Sequence, residues 1–286
     1  MNNQVGEVAY SGNLCECGVP ETWNENNTMF RLFIFDFDGT ALGGHEPYDQ
    51  FPEPFARFLD NLQEVGASWA TCTTWHPAGQ ERVFRNSHLS SRPVRAIGRT
   101  GLACGLYTGE TLVMDAEWDV RFLDMHARYA EQDLPRVRES LSSFDSVLSV
   151  KEGFDYILSL RLTSGVSFRE EMSAHPELEK ATYIQAATGA ESAQVFGAHM
   201  SKALAVEELQ KLVNVNPCQT VIAGDGLNDL PMLTPDLAGG LVCPSNAVEE
   251  VKQQAVSSGG IVSDLPFSEG VMDALQQLGA FRAANA

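Results

Sequence analysis

Residues 33 to 40 read Phe-Ile-Phe-Asp-Phe-Asp-Gly-Thr. An apolar run of strand type stops at two carboxylates, Asp36 and Asp38, one residue apart. Side chains at i and i+2 of a strand start on one face, and a loop beginning at Phe37 would let the two aspartates diverge into separate jobs. A second apolar run, Thr220-Val-Ile-Ala, ends in Gly224-Asp-Gly-Leu-Asn-Asp229. Each end also has a plain reading as turn chemistry, Asp38-Gly39 as a turn and Asp229 as a helix cap. That reading leaves Asp36 as an unexplained charge at a buried strand end. In an open α/β sheet, ligands bind beyond the carboxyl ends of the strands. Two acidic strand ends meeting there would make a hard, oxygen-rich site of the kind that suits Mg²⁺.

Two further residues fit such a site by type. Lys202 follows Ser201 at a helix start, where an ammonium opposes the helix dipole, so it reads either as a solvated lysine or as an anion-binding group. Thr73 ends the run from Ala67 and offers a hydroxyl, with Thr71 and Thr74 as competitors.

The elements needed to position these residues are readable from periodicity. Strands are expected over 31–36, 67–73, near 94–98, over 220–225, 238–243 and 260–263. A helix holds Phe55, Phe58, Leu59, Leu62 and Val65, with Gly66 after it. Others cover 77–88, open at Ser201, and place Val271, Leu275 and Leu278 on one face. Strand–helix alternation predicts a doubly wound parallel α/β sheet with a Rossmann-like core. Residues 109–195 break it, with two helical stretches separated at Pro135 and strands near 146–150, 154–162 and within 181–196. Capping patterns stand at Ser167–Glu170 and Asn246–Glu249. The expected division is an extension over 1–29, a core of 30–108 and 196–286, and an inserted α+β cap over 109–195.

The chain has 286 residues and a net charge of −19. That sign disfavours nucleic acid and anionic membranes as partners, since both select clustered Lys and Arg. No apolar stretch reaches the roughly 20 residues of a bilayer span, and no signal pattern opens the chain, so a cytoplasmic location is expected. Of the six cysteines, Cys72, Cys104 and Cys243 read as core residues, and Cys15 and Cys17 as two free thiols. The oligomeric state is not readable.

In order along the chain, Asp36 to Thr40, Thr73, Lys202 and Gly224 to Asp229 with Met232-Leu233 resemble the four motifs of the haloacid dehalogenase-like hydrolase superfamily. The position of the insert, Ser201-Lys202-Ala203-Leu204, Asn246-Ala247 and Glu269-Gly270-Val271 resemble its Cof-type, sugar-phosphatase-like branch. Two segments depart from that branch. Thr73-Thr74-Trp75 stands where Thr-Gly-Arg is common, and Arg99-Thr100-Gly101 where Asn-Gly-Ala is common.

The resemblance implies a Mg²⁺-dependent phosphatase acting on a small phosphorylated metabolite, most readily a sugar phosphate, through an aspartyl-phosphate. Asp36 would be the nucleophile. Asp38 would be the general acid and then base, kept protonated at first by burial and neighbouring carboxylates. Mg²⁺ would be held by Asp36, the Asp38 backbone carbonyl and Asp225. Thr73, Lys202 and Asn228 would bind the phosphate, and Asp229 would orient Lys202 or a metal-bound water. Arg121, His126, Arg128, Tyr156 and Arg161 of the insert are candidate substrate contacts. A phosphotransferase or phosphomutase using the same aspartyl-phosphate, and a non-catalytic metabolite-binding module, are the alternatives. A dehalogenase needs neither Asp38 nor the metal.

Overall fold

The first apolar run forms a strand, β1 (Leu32–Phe35), with every side chain buried. A computed structural model describes residues 30–186 and 190–280. The expected extension and its thiols at Cys15 and Cys17 lie outside the described residues. After β1 the chain continues as α1 (Glu53–Glu64), β2 (Ser68–Cys72), α2 (Pro77–Asn86), β3 (Ala96–Gly98), β4 (Ala103–Thr108), β5 (Thr111–Met114) and α3 (Ala116–Arg128). It then forms α4 (Leu134–Ser143), β6 (Val147–Glu152), β7 (Leu158–Leu162), α5 (Gly165–Ser173), α6 (Pro176–Ala181), β8 (Thr182–Gln185) and β9 (Ser192–Gly197). The return is α7 (Lys202–Val213), β10 (Thr220–Ala223), β11 (Gly240–Cys243), α8 (Glu249–Ser257), β12 (Ile261–Val262) and α9 (Phe267–Gln277).

Two sheets result. The larger runs β12-β11-β10-β1-β2-β3-β4-β5 and the smaller β6-β7-β9-β8. In the larger sheet β12 to β3 are parallel, and β4 and β5 add an antiparallel edge. The sheet grows from β1 towards β3 in one direction and from β10 towards β12 in the other. Strand order therefore reverses between β1 and β10, the place where α/β sheets open a crevice for ligands. Asp36 follows β1 and Asp225 follows β10 on the same side of that crevice. Apolar layers cover both faces of the sheet. One contains Phe33, Phe35, Phe55 and Trp69, the other Leu32, Ile34, Val206 and Leu241.

Three expectations need correction. The insert does not begin at 109. β5 pairs with β4 in the larger sheet, and Trp118 and Phe122 of α3 stack at 4.7 Å within the core that contains Leu32 and Val206. The helical stretches over 117–143 part at a wider turn over Tyr129–Asp133, and Pro135 then occupies the first turn of α4, where its missing N–H is harmless. Neither proposed capping pattern forms. Ser164, not Ser167, caps α5. Asn246 leaves the start of α8 to Val248, and its amide donates to the Gly39 carbonyl at 2.8 Å while its oxygen accepts from Phe267 N at 2.7 Å. Tertiary partners outcompete the local cap there. No helix among the described residues is long and apolar enough to cross a membrane.

The placement of α3 gives a test. Phe122→Ala removes a fully buried ring from the core of the larger sheet. It should lower the stability of the whole molecule by about 3–5 kcal/mol, read as a shift in urea midpoint. A midpoint shift below a third of that size would put α3 outside this core.

Candidate active site

The chain leaves β1 in a tight coil. Ala41 N donates to the Asp36 carbonyl at 3.2 Å, Thr40 N and Leu42 N donate to the Phe37 carbonyl, and Gly39 N returns to Leu42 O. Phe37 turns inward, edge-on to Phe51, Trp75 and Phe84. The coil separates the two aspartates, leaving Asp36 buried and Asp38 exposed. Gly39 is required on two counts. Its φ is +83°, and a Cβ there would lie 2.0 Å from Oδ2 of Asp225.

Lys202 is wholly buried and points at two carboxylates, Asp36 Oδ1 at 2.9 Å and Asp229 Oδ1 at 2.5 Å. Asp229 Oδ2 accepts from the backbone N–H of Asp225 and of Gly226, both at 2.9 Å. Asp229 is thus a clamp that orients Lys202 and fixes the loop carrying Asp225. Thr40 Oγ1 donates to Asp225 Oδ1 at 2.6 Å. Asp36, Asp225 and Asp229 each bring a carboxylate oxygen within 4.8 Å of the others.

The electrostatics follow from this crowding. Burial first, and then the charge of Asp229, push the Asp36 carboxyl up to about 7 despite Lys202. Burial, opposed by the Thr40 hydrogen bond and reinforced by Asp229, also pushes Asp225 up to about 7. Burial alone would lower the Lys202 ammonium, but Asp229 and Asp36 outweigh it and raise it. With all four groups ionised, three carboxylates against one ammonium leave two negative charges in a small buried volume. A hard divalent cation such as Mg²⁺ fits that donor set. Asp36, Asp225 and Asp229 are the carboxylates close enough to one another to share it.

Thr73 is buried at the end of β2, and its hydroxyl accepts from Trp75 N at 3.4 Å. The competing threonines are otherwise placed. Thr71 is bound to Gln80 at 2.5 Å, and Thr74 is exposed. Asn228 sits half-buried on the Leu227–Asp229 turn. Asp38 is exposed, not buried as expected. Its two oxygens instead accept from Tyr48 Oη and Trp75 Nε1, each at 2.7 Å. Neither donor was singled out from the sequence. Trp75 was visible only as a departure where an arginine is common, and Tyr48 carried no signal in its turn-rich segment.

The insert candidates separate. Arg121 pairs with Glu208 and Arg128 with Asp124, both at exposed positions on α3. His126 faces His199 at 2.9 Å and lies against the Tyr156 ring. Arg161 alone lies on the smaller sheet.

A family model described as haloacid dehalogenase-like hydrolase matches residues 166–275. The match spans 110 of the 286 residues, from α5 to α9. No curated protein matches its sequence. Among solved structures, the sucrose-phosphatase of Synechocystis sp. PCC6803, determined with sucrose and phosphate, is similar with a TM-score of 0.63 at 16% identity, covering 87% of this chain and 98% of that one. The phosphatase BT1666 from Bacteroides thetaiotaomicron aligns with a TM-score of 0.56 at 17% identity, over 92% of this chain and 100% of that one. The subclass IIB sugar phosphatase BT4131 aligns with a TM-score of 0.55 at 16% identity, over 88% and 100%. At these identities the likeness is one of fold. It extends over both sheets, as the Cof-type resemblance implies.

The raised carboxyls predict a pH dependence of cation binding. Asp36 and Asp225 hold protons up to about 7, and a cation must displace them. Apparent Mg²⁺ affinity, measured by calorimetry, should therefore fall as pH drops through 7 towards 5 and level off above 8. A pH-independent affinity across that span would contradict the assignment.

Proposed function

We propose that this protein is a haloacid dehalogenase-like, Mg²⁺-dependent phosphoric monoester hydrolase acting on a small phosphorylated metabolite, with a sugar phosphate as the favoured class. The observation that carries the reading is the buried Lys202 bridging Asp36 and Asp229, beside Asp225 at the strand-order reversal. A phosphate dianion approaching a carboxylate needs local positive charge in a chain of net charge −19. Mg²⁺, when bound, supplies that charge and a template for the phosphate oxygens.

The chain's own residues do the rest. A carboxylate oxygen of Asp36 attacks phosphorus, and the bond from phosphorus to the substrate's alkoxide breaks as the aspartyl-phosphate forms. Asp38 gives its proton to the departing alkoxide. It then takes a proton from a water that attacks the same phosphorus, releasing inorganic phosphate and restoring the Asp36 carboxylate. Lys202, Thr73 and Asn228 bind the transferring oxygens. Asp229 keeps Lys202 aimed. Trp75 and Tyr48 fix the plane of the Asp38 carboxyl, so that its exposure does not become rotational freedom. The smaller sheet with α4, α5 and α6 acts as the cap, and its contact with the site runs through Tyr183, whose hydroxyl donates to the Leu227 carbonyl at 2.6 Å.

Two tests follow. Asp36→Asn should abolish phosphate release from p-nitrophenyl phosphate while the thermal transition survives, and a chelator should stop the native enzyme. Activity retained in either experiment would overturn the nucleophile or the metal, respectively. Trp75→Phe removes one donor to Asp38. It should lower kcat/KM for alkyl phosphates about tenfold or more and that for p-nitrophenyl phosphate far less, because kcat/KM reads formation of the aspartyl-phosphate and nitrophenolate leaves without a proton. Equal losses on both would show that Trp75 does not act through Asp38.

A further inference from the structure

The smaller sheet has two unlike faces. Leu158, Leu160, Leu162, Ala193 and Val195 point to one side, where they pack with Leu141, Phe168 and Met172 of the covering helices. The alternate residues point the other way. At the end nearest the larger sheet that second face is apolar and closed, with Tyr183 and Phe196 against Leu102 and Met200. Beyond it the face opens and becomes polar. The pairing aligns Lys151 with Ser159, Ser159 with Gln194 and Gln194 with Gln185 in one row, and Ser149, Arg161 and Ser192 in the next. A cavity of about 470 Å³ lies along these rows, with Ser159, Gln185, Ser192 and Gln194 on one wall and Leu227 on the other. Leu227 belongs to the turn that carries Asn228 and Asp229. The cavity therefore abuts the loop that carries Asn228 and Asp229, and it has the size of a small-molecule pocket. Lys151 and Arg161 border it through their register partners, Ser159 and Ser192.

Its charge is the unusual feature. The chain has 38 acidic residues against 19 Lys and Arg, so a basic side chain has carboxylates in excess to pair with. Lys151 and Arg161 are exposed on the open face and take part in no ion pair among the described residues. The acidic neighbour of Lys151, Glu152, points to the other face and is held by Arg138 at 3.1 Å. Lys151 stands opposite Ser159, two residues from Arg161 on the same face, the diagonal relation that places cross-strand neighbours roughly 7–8 Å apart. Two unpaired cations at that spacing, bordered by hydroxyls and amides, form a receptor for one oxyanion flanked by hydroxyl groups.

Building on the phosphatase reading, we propose that the substrate is a phosphate monoester whose alcohol half carries a second anionic group, a carboxylate or a further phosphate, bound by Lys151 and Arg161. Gln185, Gln194 and Ser159 hydrogen-bond the hydroxyls between the two anions. The cations lie on the smaller sheet and Asp36 at the end of a strand of the larger one, so a neutral sugar phosphate leaves them unused and a doubly anionic one reaches from one to the other.

The test compares matched pairs, fructose 1,6-bisphosphate with fructose 6-phosphate and 6-phosphogluconate with glucose 6-phosphate, by phosphate release from the Mg²⁺-loaded enzyme. At least one doubly anionic member should exceed its partner in kcat/KM by about tenfold or more, and the pair that shows it tells phosphate from carboxylate. In Lys151→Gln/Arg161→Gln that ratio should fall towards one, a readout insensitive to a general loss of activity. Ratios near one in the native enzyme, or a preference that survives the double substitution, would overturn the proposal. If no phosphate ester, p-nitrophenyl phosphate included, is hydrolysed, the phosphatase reading fails, and the same pairs are compared by calorimetry. Tighter binding of a two-anion ligand that is lost in the double variant then upholds the anion site, and equal binding overturns it.

Discussion

A wholly buried ammonium organises this molecule. Lys202 begins α7, Asp36 ends β1, and Asp229 lies beyond β10, so one cation ties three elements of the larger sheet together at its crevice. Burying such a group costs several kcal/mol unless the geometry of its pairing is good. Here both carboxylates lie within 2.9 Å, and Asp229 is itself held by two backbone N–H groups. The arrangement overcompensates, because Asp225 adds a third carboxylate. The fold closes around an excess of negative charge, and the raised Asp36 and Asp225 carboxyls record it. A metal-dependent phosphoryl-transfer site is one of few uses for that excess.

The sequence reading reached the site because its signals conflict with burial. A Phe-Ile-Phe run that ends in Asp cannot be explained by packing, and the same holds for Thr220 to Asp225. Lys202 at its helix start reads equally as a solvated lysine or an anion-binding group, and only the order of the motifs favours the second. Less was legible where long-range partners decide. Asn246 carries a local capping signal, yet Gly39 and Phe267 claim both ends of its amide. Trp75 and Tyr48 reach Asp38 across 37 and 10 residues, and no spacing rule connects them. The β4–β5 hairpin was missed for a different reason. Its two-residue loop, Gly109-Glu110 with Gly109 at φ +62°, is an ordinary hairpin signal. It stood where the pattern first departs from strand–helix alternation and so was assigned to the insert.

The two layers divide the chemistry between them. In the proposed reaction the larger sheet fixes the charges that act on phosphorus, and these are set by strand ends and a tight coil that tolerates only Gly39 at its apex. The smaller sheet has no such conflict with burial. Its open face reads in sequence as ordinary alternation, Leu158-Ser159-Leu160-Arg161-Leu162, in which an exposed arginine is unremarkable. Only pairing with β6 and β9 shows that Arg161 shares its face with Lys151 and that neither has a carboxylate beside it. On the proposed reading, reaction type is written in the order of residues along the chain, and substrate choice in the register of strands.

The account stands or falls on where the phosphoryl group goes. Asp38→Asn should retain the nucleophile and lose the base that activates water, so its covalent intermediate should persist. Acid-quenching this variant after mixing with Mg²⁺ and p-nitrophenyl phosphate, followed by peptide mass spectrometry, is the most direct measurement. The account predicts one phosphoryl group on the peptide that contains Asp36. A phosphoryl group on another residue, or nitrophenol release with no protein-bound phosphoryl at any quench time, would contradict it.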